Sequence, residues 1–305
     1  MKNSRRLKSP KQKPDAVSIG IGILLSLYVL GLIVPTIWAA LTAFMDKTSY
    51  EDAYIWKEFP DGKFPFKFTT GNFTKVLPFL EVQDTYPGQG YYWYAETMYM
   101  NSLIFALLSA GSFTICCTLV SYLTAKFDFK FSKVIYAFVV VAMSLPIVGS
   151  MASEIRMLNR LGIYNTWLSI PILRFNFLNV YFLVLYATFR GISKEYSEAA
   201  KIDGASNLRI MLRIVMPQAL NIIVTVFFLS FITYWNDYQV PMLYLPRYPV
   251  AAYGLFDFLR NNTAQITDAP ARMAGTLIMT LPVLIVVIIF NKRLRVSVSI
   301  GGVKG

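Results

Sequence analysis

Long intervals without a charged side chain are the feature of this sequence that most restricts its fold. An ion at the centre of a bilayer costs roughly 2.5–3.5 kcal/mol on insertion scales, and about 20 residues of helix cross the hydrocarbon. Apolar residues make up 55% of the 305-residue chain and charged residues only 15%, which is more hydrophobic surface than one soluble core buries. The sequence therefore predicts an all-α membrane protein.

Six such intervals predict six transmembrane helices. The first interval, residues 16–45, follows a run of basic residues. A cleaved signal peptide begins in the same way and is the alternative interpretation. Its apolar run is much longer than the usual run of about 7–15 residues in a signal peptide, so we predict an uncleaved helix. The other predicted spans are 97–125, 134–153, 168–189, 214–236 and 273–291.

Arg174 interrupts the fourth predicted span. Only 15 residues separate it from Arg190, too few to cross the hydrocarbon, so the helix is predicted to begin before Arg174. An arginine in that position either snorkels to the outer interface or faces a wet cavity.

The distribution of Lys and Arg predicts the orientation of the spans. One predicted side holds 18 of the 29 basic residues against five acidic ones, and the other side holds 11 basic and 12 acidic residues. The first set lies in 1–15, 126–133, 190–213 and 292–305. Because positive charge favours the cytoplasmic side, both termini are predicted to be cytoplasmic. The charge is spread over four short loops without a base-stacking platform, which argues against nucleic acid as a partner.

Residues 46–96 are predicted to form a small ordered cap outside the membrane, because they are rich in aromatic residues and turn formers. The aromatic run at 91–94 either docks a partner or belongs to the interfacial aromatic belt.

Cysteine and histidine usage excludes several kinds of site. Cys116 and Cys117 are adjacent inside an apolar run, and the chain has no histidine. A disulfide framework and a histidine-based metal or acid/base site are therefore not expected.

The stretch 195–217 is the one long polar insert on the predicted cytoplasmic side. Ser193 is placed to cap a helix of about ten residues that begins with Glu195 and Glu198, and Gly204 stands where a left-handed residue ends it. The turn carries small residues, Ala199, Ala200, Gly204 and Ala205.

A second helix is predicted from Ser206, with an apolar stripe formed by Leu208, Met211, Leu212 and Val215. The two helices would form an elbow below the membrane. Its small-residue turn suits entry into the groove of another protein, and an interfacial helix lying on lipid headgroups is the alternative.

The same stretch carries a motif. Glu198, Ala199, Ala200, Gly204, Ile214 and Pro217 follow the spacing E-A-A-x3-G-x9-I-x-L-P, with Met216 in place of Leu. This pattern resembles the EAA loop of bacterial ABC importer permeases.

Other segments look like the carbohydrate-importing subgroup of that family, and the resemblance covers residues 68–305. These segments are Asn101-Ser102, NRLGIYNTWL at 159–168, EAAKIDG at 198–204, and Trp235-Asn236-Asp237 followed by Pro241. The closing residues 301–305 are similar to the tail of the maltose-type "G" subunit.

The resemblance implies a type I ABC importer permease fold in the membrane of a bacterial cell, a multi-pass protein of the cytoplasmic membrane. It divides the chain into a basic tail (1–15), a first span (16–45), the cap (46–96) and a permease core (97–305). The core would contain the EAA loop (190–217) and a cytoplasmic tail (292–305). The residues implied to couple to the ATPase are Glu198, Ala199, Ala200, Asp203, Gly204, Ala205, Ile214 and Pro217.

The resemblance also implies partners: a homologous permease in a heterodimer, two ABC ATPase subunits, an extracytoplasmic solute-binding protein and a sugar or oligosaccharide. The chain has no G-x-x-x-x-G-K-[ST] loop, so ATP and Mg²⁺ would bind the ATPase partner, and this chain is expected to be no enzyme and to bind no cofactor.

A substrate path is expected where the fifth span ends. Aromatic faces and hydrogen-bonding amides or carboxylates suit sugars, and they occur together at Tyr234, Trp235, Asn236, Asp237 and Tyr238. The alternative is that these residues cap the helix at the outer interface.

Two rival functions remain open from sequence. A membrane-embedded enzyme would require His, Asp or Glu side chains clustered within the spans, and the charge-free intervals argue against such an enzyme. A permease of the same superfamily for a polyol, glycerol phosphate or an amino acid would carry the same cytoplasmic insert.

Overall fold

The computed structural model of the protein describes residues 15–54, 68–83, 90–127, 129–145, 149–261 and 268–300, which are mainly helical. The helices are α1 (Ala16–Ala43), α2 (Lys47–Tyr54), α3 (Gly71–Val76), α4 (Ala95–Lys126), α5 (Ser132–Ser144), α6 (Met151–Arg160), α7 (Ser169–Arg174), α8 (Val180–Gly191), α9 (Glu195–Ile202), α10 (Asn207–Ile210), α11 (Met216–Trp235), α12 (Gln239–Tyr244), α13 (Ala251–Asn261) and α14 (Ala269–Ile300). A 3-10 turn (Leu77–Phe79) leads to a two-stranded antiparallel sheet, β1 (Glu81–Gln83) with β2 (Tyr92–Tyr94), in which Val82 lies opposite Trp93.

Four helices among the described residues are long and apolar enough to cross a membrane. They are Ala16–Ala43, Ala95–Lys126, Asn207–Trp235 and Ala269–Ile289. They confirm apolar helices at the first, second, fifth and sixth predicted spans. The fifth begins earlier than predicted, inside the polar insert.

The third predicted span, 134–153, is not one helix over its whole length. Helix α5 ends at Ser144, and a separate helix, α6, begins at Met151. Before α6, Gly149 has a φ of 89°, a left-handed conformation that a right-handed helix cannot contain. Residues 146–148 of this prediction lie outside the described residues.

The predicted helix through Arg174 is wrong. Helix α7 ends at Arg174, and α8 begins at Val180. Between them Asn179 is extended, and its side chain accepts hydrogen bonds from the amides of Tyr181 and Phe182. A side chain that satisfies the first free amides of a helix starts that helix, so the apolar segment here is the short helix α8.

The described residues form two compact units. The first lies within Met1–Lys75 and Asp268–Ala274, and the second within Val76–Thr267 and Gly275–Gly305. In the first unit, the buried Asn72 side chain donates to the carbonyls of Ala43 at 2.9 Å and Met45 at 2.8 Å, which fixes the end of α1. Of the predicted outer cap, 55–67 and 84–89 lie outside the described residues, as do the tail residues 1–14 and 301–305.

Changing Asn72 to alanine is expected to lower the free energy of unfolding by about 1–3 kcal/mol, because two carbonyl oxygens lose their donor. Thermal unfolding of the purified chain in detergent measures the effect. Thr74→Ala is the matched control, since Thr74 is exposed on the same helix and bonds only the nearby Gly71 carbonyl. Equal stability of the two variants would contradict the role of Asn72.

Helix α4 is the central helix of the second unit. It contacts α7, α8, α11 and α13. Ala106 and Ala110 are fully buried, and they pack against Phe231 and Trp235 of α11 and Val283 of α14. Small side chains on α4 therefore let the large side chains of α11 and α14 approach closely.

Helix α13 packs tightly because of two glycines. A Cβ added at Gly254 would stand 2.5 Å from Met98 Sδ, and one at Gly275 would stand 2.7 Å from Phe258 Cε1. Neither position has space for a larger residue without movement of its neighbours. The glycines thereby fix α13 against α4 and α14, beside the end of α11.

Candidate functional site

The polar insert folds as the predicted elbow. Helix α9 starts beside Ser193, whose hydroxyl oxygen accepts a hydrogen bond from the Glu195 amide at 3.2 Å. It ends at Gly204, which is left-handed with a φ of 80°. The Ala205 amide donates a hydrogen bond to the Ala200 carbonyl at 2.9 Å. These bonds form the glycine-terminated helix end that the sequence predicts. Helix α9 has eight residues.

One side of the elbow is buried against other helices of the second unit, to which the elbow belongs. Ala200, Ile210 and Val215 join a core cluster with Tyr122 of α4 and Phe189 of α8. Lys126 Nζ, at the end of α4, donates to the Ile192 carbonyl at 2.5 Å, next to the start of the elbow. The elbow is therefore attached to the ends of α4 and α8.

The exposed surface of the elbow includes large apolar side chains. Ile202 is 87% exposed, Leu208 62% and Tyr196 57%. Large apolar residues at the surface of a polar segment are candidates for an interaction surface. We call these three residues the elbow patch. Sequence reasoning did not single out Tyr196 or Ile202, although an isoleucine directly before a polar turn is a detectable signal.

The eight motif residues do not all face outward. Ala200 is buried in the chain's own core, and Ala205 and Ile214 are half-buried. The exposed members are Glu198, Ala199, Asp203, Gly204 and Pro217. The structure thus divides the motif into residues that hold the elbow in place and residues that are available to a partner.

The apolar stripe predicted from Leu208 to Val215 is only partly buried in this chain. Leu208 and Leu212 are exposed, and the buried positions are Ile210, Val215 and Ala219. The cause is a π-helical turn, Met211–Val215, in which the Met216 amide bonds the Met211 carbonyl five residues back. A π turn inserts one residue and shifts the buried face by one position.

Pro217 explains the π turn. It has no amide hydrogen, and in a regular α-helix its ring clashes with the carbonyl four residues earlier, that of Arg213. Widening the preceding turn moves that carbonyl away from the ring. The proline of the motif therefore sets the register between the elbow and α11.

At the other end of α11, the predicted substrate-path residues separate into two groups. Tyr234 and Asp237 face Arg174 of α7: Arg174 Nη2 lies 3.1 Å from Asp237 Oδ2, and its guanidinium lies 4.7 Å from the centre of the Tyr234 ring. Asp237 Oδ1 also accepts a hydrogen bond from the Val240 amide at the start of α12. These two residues therefore hold α7, α11 and α12 together.

The Arg174 side chain is mostly buried, and its charge has a partner. Its side chain is 23% exposed, and its charge is paired with Asp237. Its Nε is buried without a hydrogen-bond partner among the described residues. Sequence analysis identified this arginine as unusual but did not find its partner 63 residues later.

The second group, Trp235, Asn236 and Tyr238, lines a half-open cavity of 240 Å³. Its other walls come from α13 and α14, including Phe256 and Thr280. The rings of Tyr238 and Phe256 stack with centroids 4.5 Å apart and planes 15° apart. The cavity thus combines aromatic surface with polar groups, as small-molecule sites do.

The NRLGIYNTWL segment holds α12 beside this region. Asn165 has a φ of 57°, its amide donates to the Tyr244 carbonyl, and its side-chain oxygen accepts from the Arg247 amide. Tyr244 in turn donates to Glu154 Oε2 of α6 at 2.7 Å. Burial, and then the bond to Glu154, raise the pKa of Tyr244 above its usual range.

Comparison with known proteins gives matches over most of the chain. Residues 117–299 match the family described as "Binding-protein-dependent transport system inner membrane component". The melibiose/raffinose/stachyose import permease protein MelC of Bacillus subtilis is 29% identical over 214 residues, covering 68% of this chain and 75% of MelC. The trehalose transport system permease protein SugB of Mycobacterium tuberculosis is 24% identical over 236 residues, covering 76% and 85%.

A solved structure shares the fold. A chain of a bacterial ABC transporter involved in the import of the acidic polysaccharide alginate superposes with a TM-score of 0.69 at 20% sequence identity. The match covers 93% of this chain and 99% of that one.

Proposed function

This chain belongs to the family of binding-protein-dependent transport system inner membrane components, and from that membership we propose that it is the permease subunit of an ATP-driven importer of sugars or oligosaccharides. The family match spans more than half of the chain and includes the elbow, α11 and most of α14. It is the single observation that carries the proposal.

The family and the helices also indicate where in the cell the chain is located. A family of inner-membrane components and four membrane-length helices make it a multi-pass protein of the bacterial plasma membrane. We propose six crossings with both termini in the cytoplasm. In this arrangement α5 and α8, with 13 and 12 residues, are each shorter than a full crossing and form part of the third and fourth crossings. We also propose the division into a tail (1–15), a first span (16–45), a cap (46–96) and a core (97–305).

The proposal of a sugar substrate is supported by the relatives. MelC is named for melibiose, raffinose and stachyose, SugB for trehalose, and the probable transport system permease AmyC of Thermoanaerobacterium thermosulfurigenes for starch degradation products. A non-sugar solute, such as a polyol, glycerol phosphate or an amino acid, has no such support and is not favoured.

The elbow is the proposed contact with the ATPase. Its buried side is attached to α4 and α8, and its exposed side offers the elbow patch beside Glu198, Asp203 and Gly204. A cleft in the ATPase that receives this surface would transmit its motion to both helices as a rigid body.

The remaining proposed partners are a homologous permease, a second ATPase subunit and a solute-binding protein. ATP and Mg²⁺ would bind the ATPases, and this chain would bind no cofactor.

Transport by the complete importer tests the function. The chain, its permease partner, both ATPase subunits and the solute-binding protein are reconstituted in proteoliposomes, and uptake of labelled melibiose, raffinose and trehalose is measured. We expect ATP-dependent accumulation of at least one neutral sugar or oligosaccharide. An importer whose ATPase carries an inactivating substitution is the control. Uptake of glycerol 3-phosphate or an amino acid, and of no sugar, would contradict the proposal.

A further inference from the structure

We propose that the cavity at the end of α11 binds one uncharged sugar ring of the transported substrate. The inference rests on the proposed function and extends it, because it assigns a substrate contact to this subunit and a chemical class to the substrate. Residues of α13 and α14 form most of the site, together with the end of α11.

The size of the cavity fits one ring. Its volume of 240 Å³ lies just below the usual range of about 300–1,000 Å³ for small-molecule sites. A cavity of this size suits a small ligand such as a single pyranose ring. The cavity is open on one side, so further rings of an oligosaccharide would extend out of it.

Aromatic and polar groups are arranged as a sugar requires. Trp235, Tyr238 and Phe256 provide aromatic surface for the C–H faces of a ring. Asn236 Nδ2 is engaged with the Ile232 carbonyl at 2.8 Å, which leaves its side-chain oxygen as an acceptor. The Thr280 hydroxyl donates to the Thr276 carbonyl at 2.8 Å, and the lone pairs of its oxygen are left to accept a hydrogen bond. Both groups can accept hydrogen bonds from sugar hydroxyls.

The charge of the lining predicts a neutral ligand. None of the eleven described residues that line the cavity is charged. The nearby charges of Arg174 and Asp237 are paired with each other on the α7 side of α11. The guanidinium of Arg260 lies 5.9 Å from the centre of the Phe256 ring, but Arg260 does not line the cavity. A uronate or a sugar phosphate would therefore find no cation within the lining itself, which favours a neutral ligand. The site therefore differs in chemistry from one for an acidic polysaccharide.

An acyl chain of a lipid is the competing occupant. It would use the aromatic and aliphatic walls but would leave the acceptors at Asn236 and Thr280 without donors. Asn236 is exposed and Thr280 half-buried, so an acyl chain lying over them would displace water and supply no donor. That loss costs free energy, so the polar pair favours a ligand with hydroxyl groups.

A matched pair of substitutions on α14 tests the site. Thr280 lines the cavity, whereas the adjacent Leu281 is 54% exposed and does not line it. In the complete importer, Thr280→Phe should lower uptake of the transported neutral sugar by about tenfold or more, because the ring fills the cavity. Leu281→Phe should transport normally. Thr280→Val keeps the shape and removes the acceptor, so a loss of about threefold to tenfold is expected.

ATP hydrolysis distinguishes a substrate contact from a general defect. Stimulation of the ATPase by the loaded binding protein should persist in Thr280→Phe, since the elbow is unchanged. Normal uptake by Thr280→Phe would overturn the inference, as would an importer that takes alginate oligosaccharides and no neutral sugar. Native mass spectrometry that finds a lipid displaced by Thr280→Phe, with uptake unaffected, would also overturn it. Failure of the unaltered importer to take up any sugar would instead reject the proposed function.

Discussion

Replacing Gly204 with valine is expected to reduce sugar uptake by the complete importer by about tenfold or more while ATP hydrolysis continues. Gly204 has a φ of 80°, which costs an ordinary residue about 1–2 kcal/mol and a β-branched residue more. The turn would re-form with another geometry and change the position of Ile202 relative to Leu208. The elbow patch would then no longer fit its partner.

The structure provides controls for this experiment. A Cβ at Gly204 would meet nothing within 4 Å in this chain, so the variant should reach the membrane at normal levels. Gly204→Asn should be much milder, because asparagine tolerates the left-handed conformation. Gly191→Val is the matched glycine control, since that glycine also has no neighbour within 4 Å and no left-handed backbone. Normal uptake by Gly204→Val would show that the elbow does not couple as proposed.

The second large effect is expected at the Arg174–Asp237 ion pair. Removing one partner, by Arg174→Gln or Asp237→Asn, leaves the other as an uncompensated charge in a largely buried place. The two side chains are 23% and 22% exposed, so we expect a loss of about 1–3 kcal/mol, less than for a fully buried pair. The Arg174→Gln/Asp237→Asn double variant should recover part of the loss, because no unpaired charge remains.

A double-mutant cycle of thermal unfolding in detergent measures this coupling. The exposed pair of Lys47 and Glu51, 3.8 Å apart with both side chains more than half exposed, is the control. Its removal should change stability by less than about 0.5 kcal/mol. Additive effects of the two substitutions at Arg174 and Asp237 would mean that the pair does not hold α7 to α11.

Apolar length and local turn chemistry could be predicted from the sequence. A charge-free run of membrane length has few alternatives to a helix, and four such runs are confirmed. The left-handed Gly204 and the cap at Ser206, whose hydroxyl oxygen accepts from the Arg209 amide at 3.4 Å, depend on neighbouring residues only. Such local signals are readable without knowledge of the rest of the fold.

Features that depend on distant residues could not be predicted. The helix break after Arg174 lies between the Asn179 cap, which is local, and the ion pair of Arg174 with Asp237, which is not. No periodicity shows which distant residue supplies that partner. Part of the cavity lining could be predicted, because the sequence shows aromatic and hydrogen-bonding residues together at the end of α11. Its other walls, such as Phe256 and Thr280, are brought to α11 only by tertiary packing.

The π turn at Met211–Val215 also affects how this chain should be aligned with others. One residue of an α-helix turns the chain by about 100°, so a relative that lacks the extra residue would present its elbow rotated by that angle about α11. A single-residue gap in an alignment at this point would therefore describe a real difference in geometry. Substitutions transferred between family members across the turn should be matched by buried face, with Ile210, Val215 and Ala219 as the reference positions.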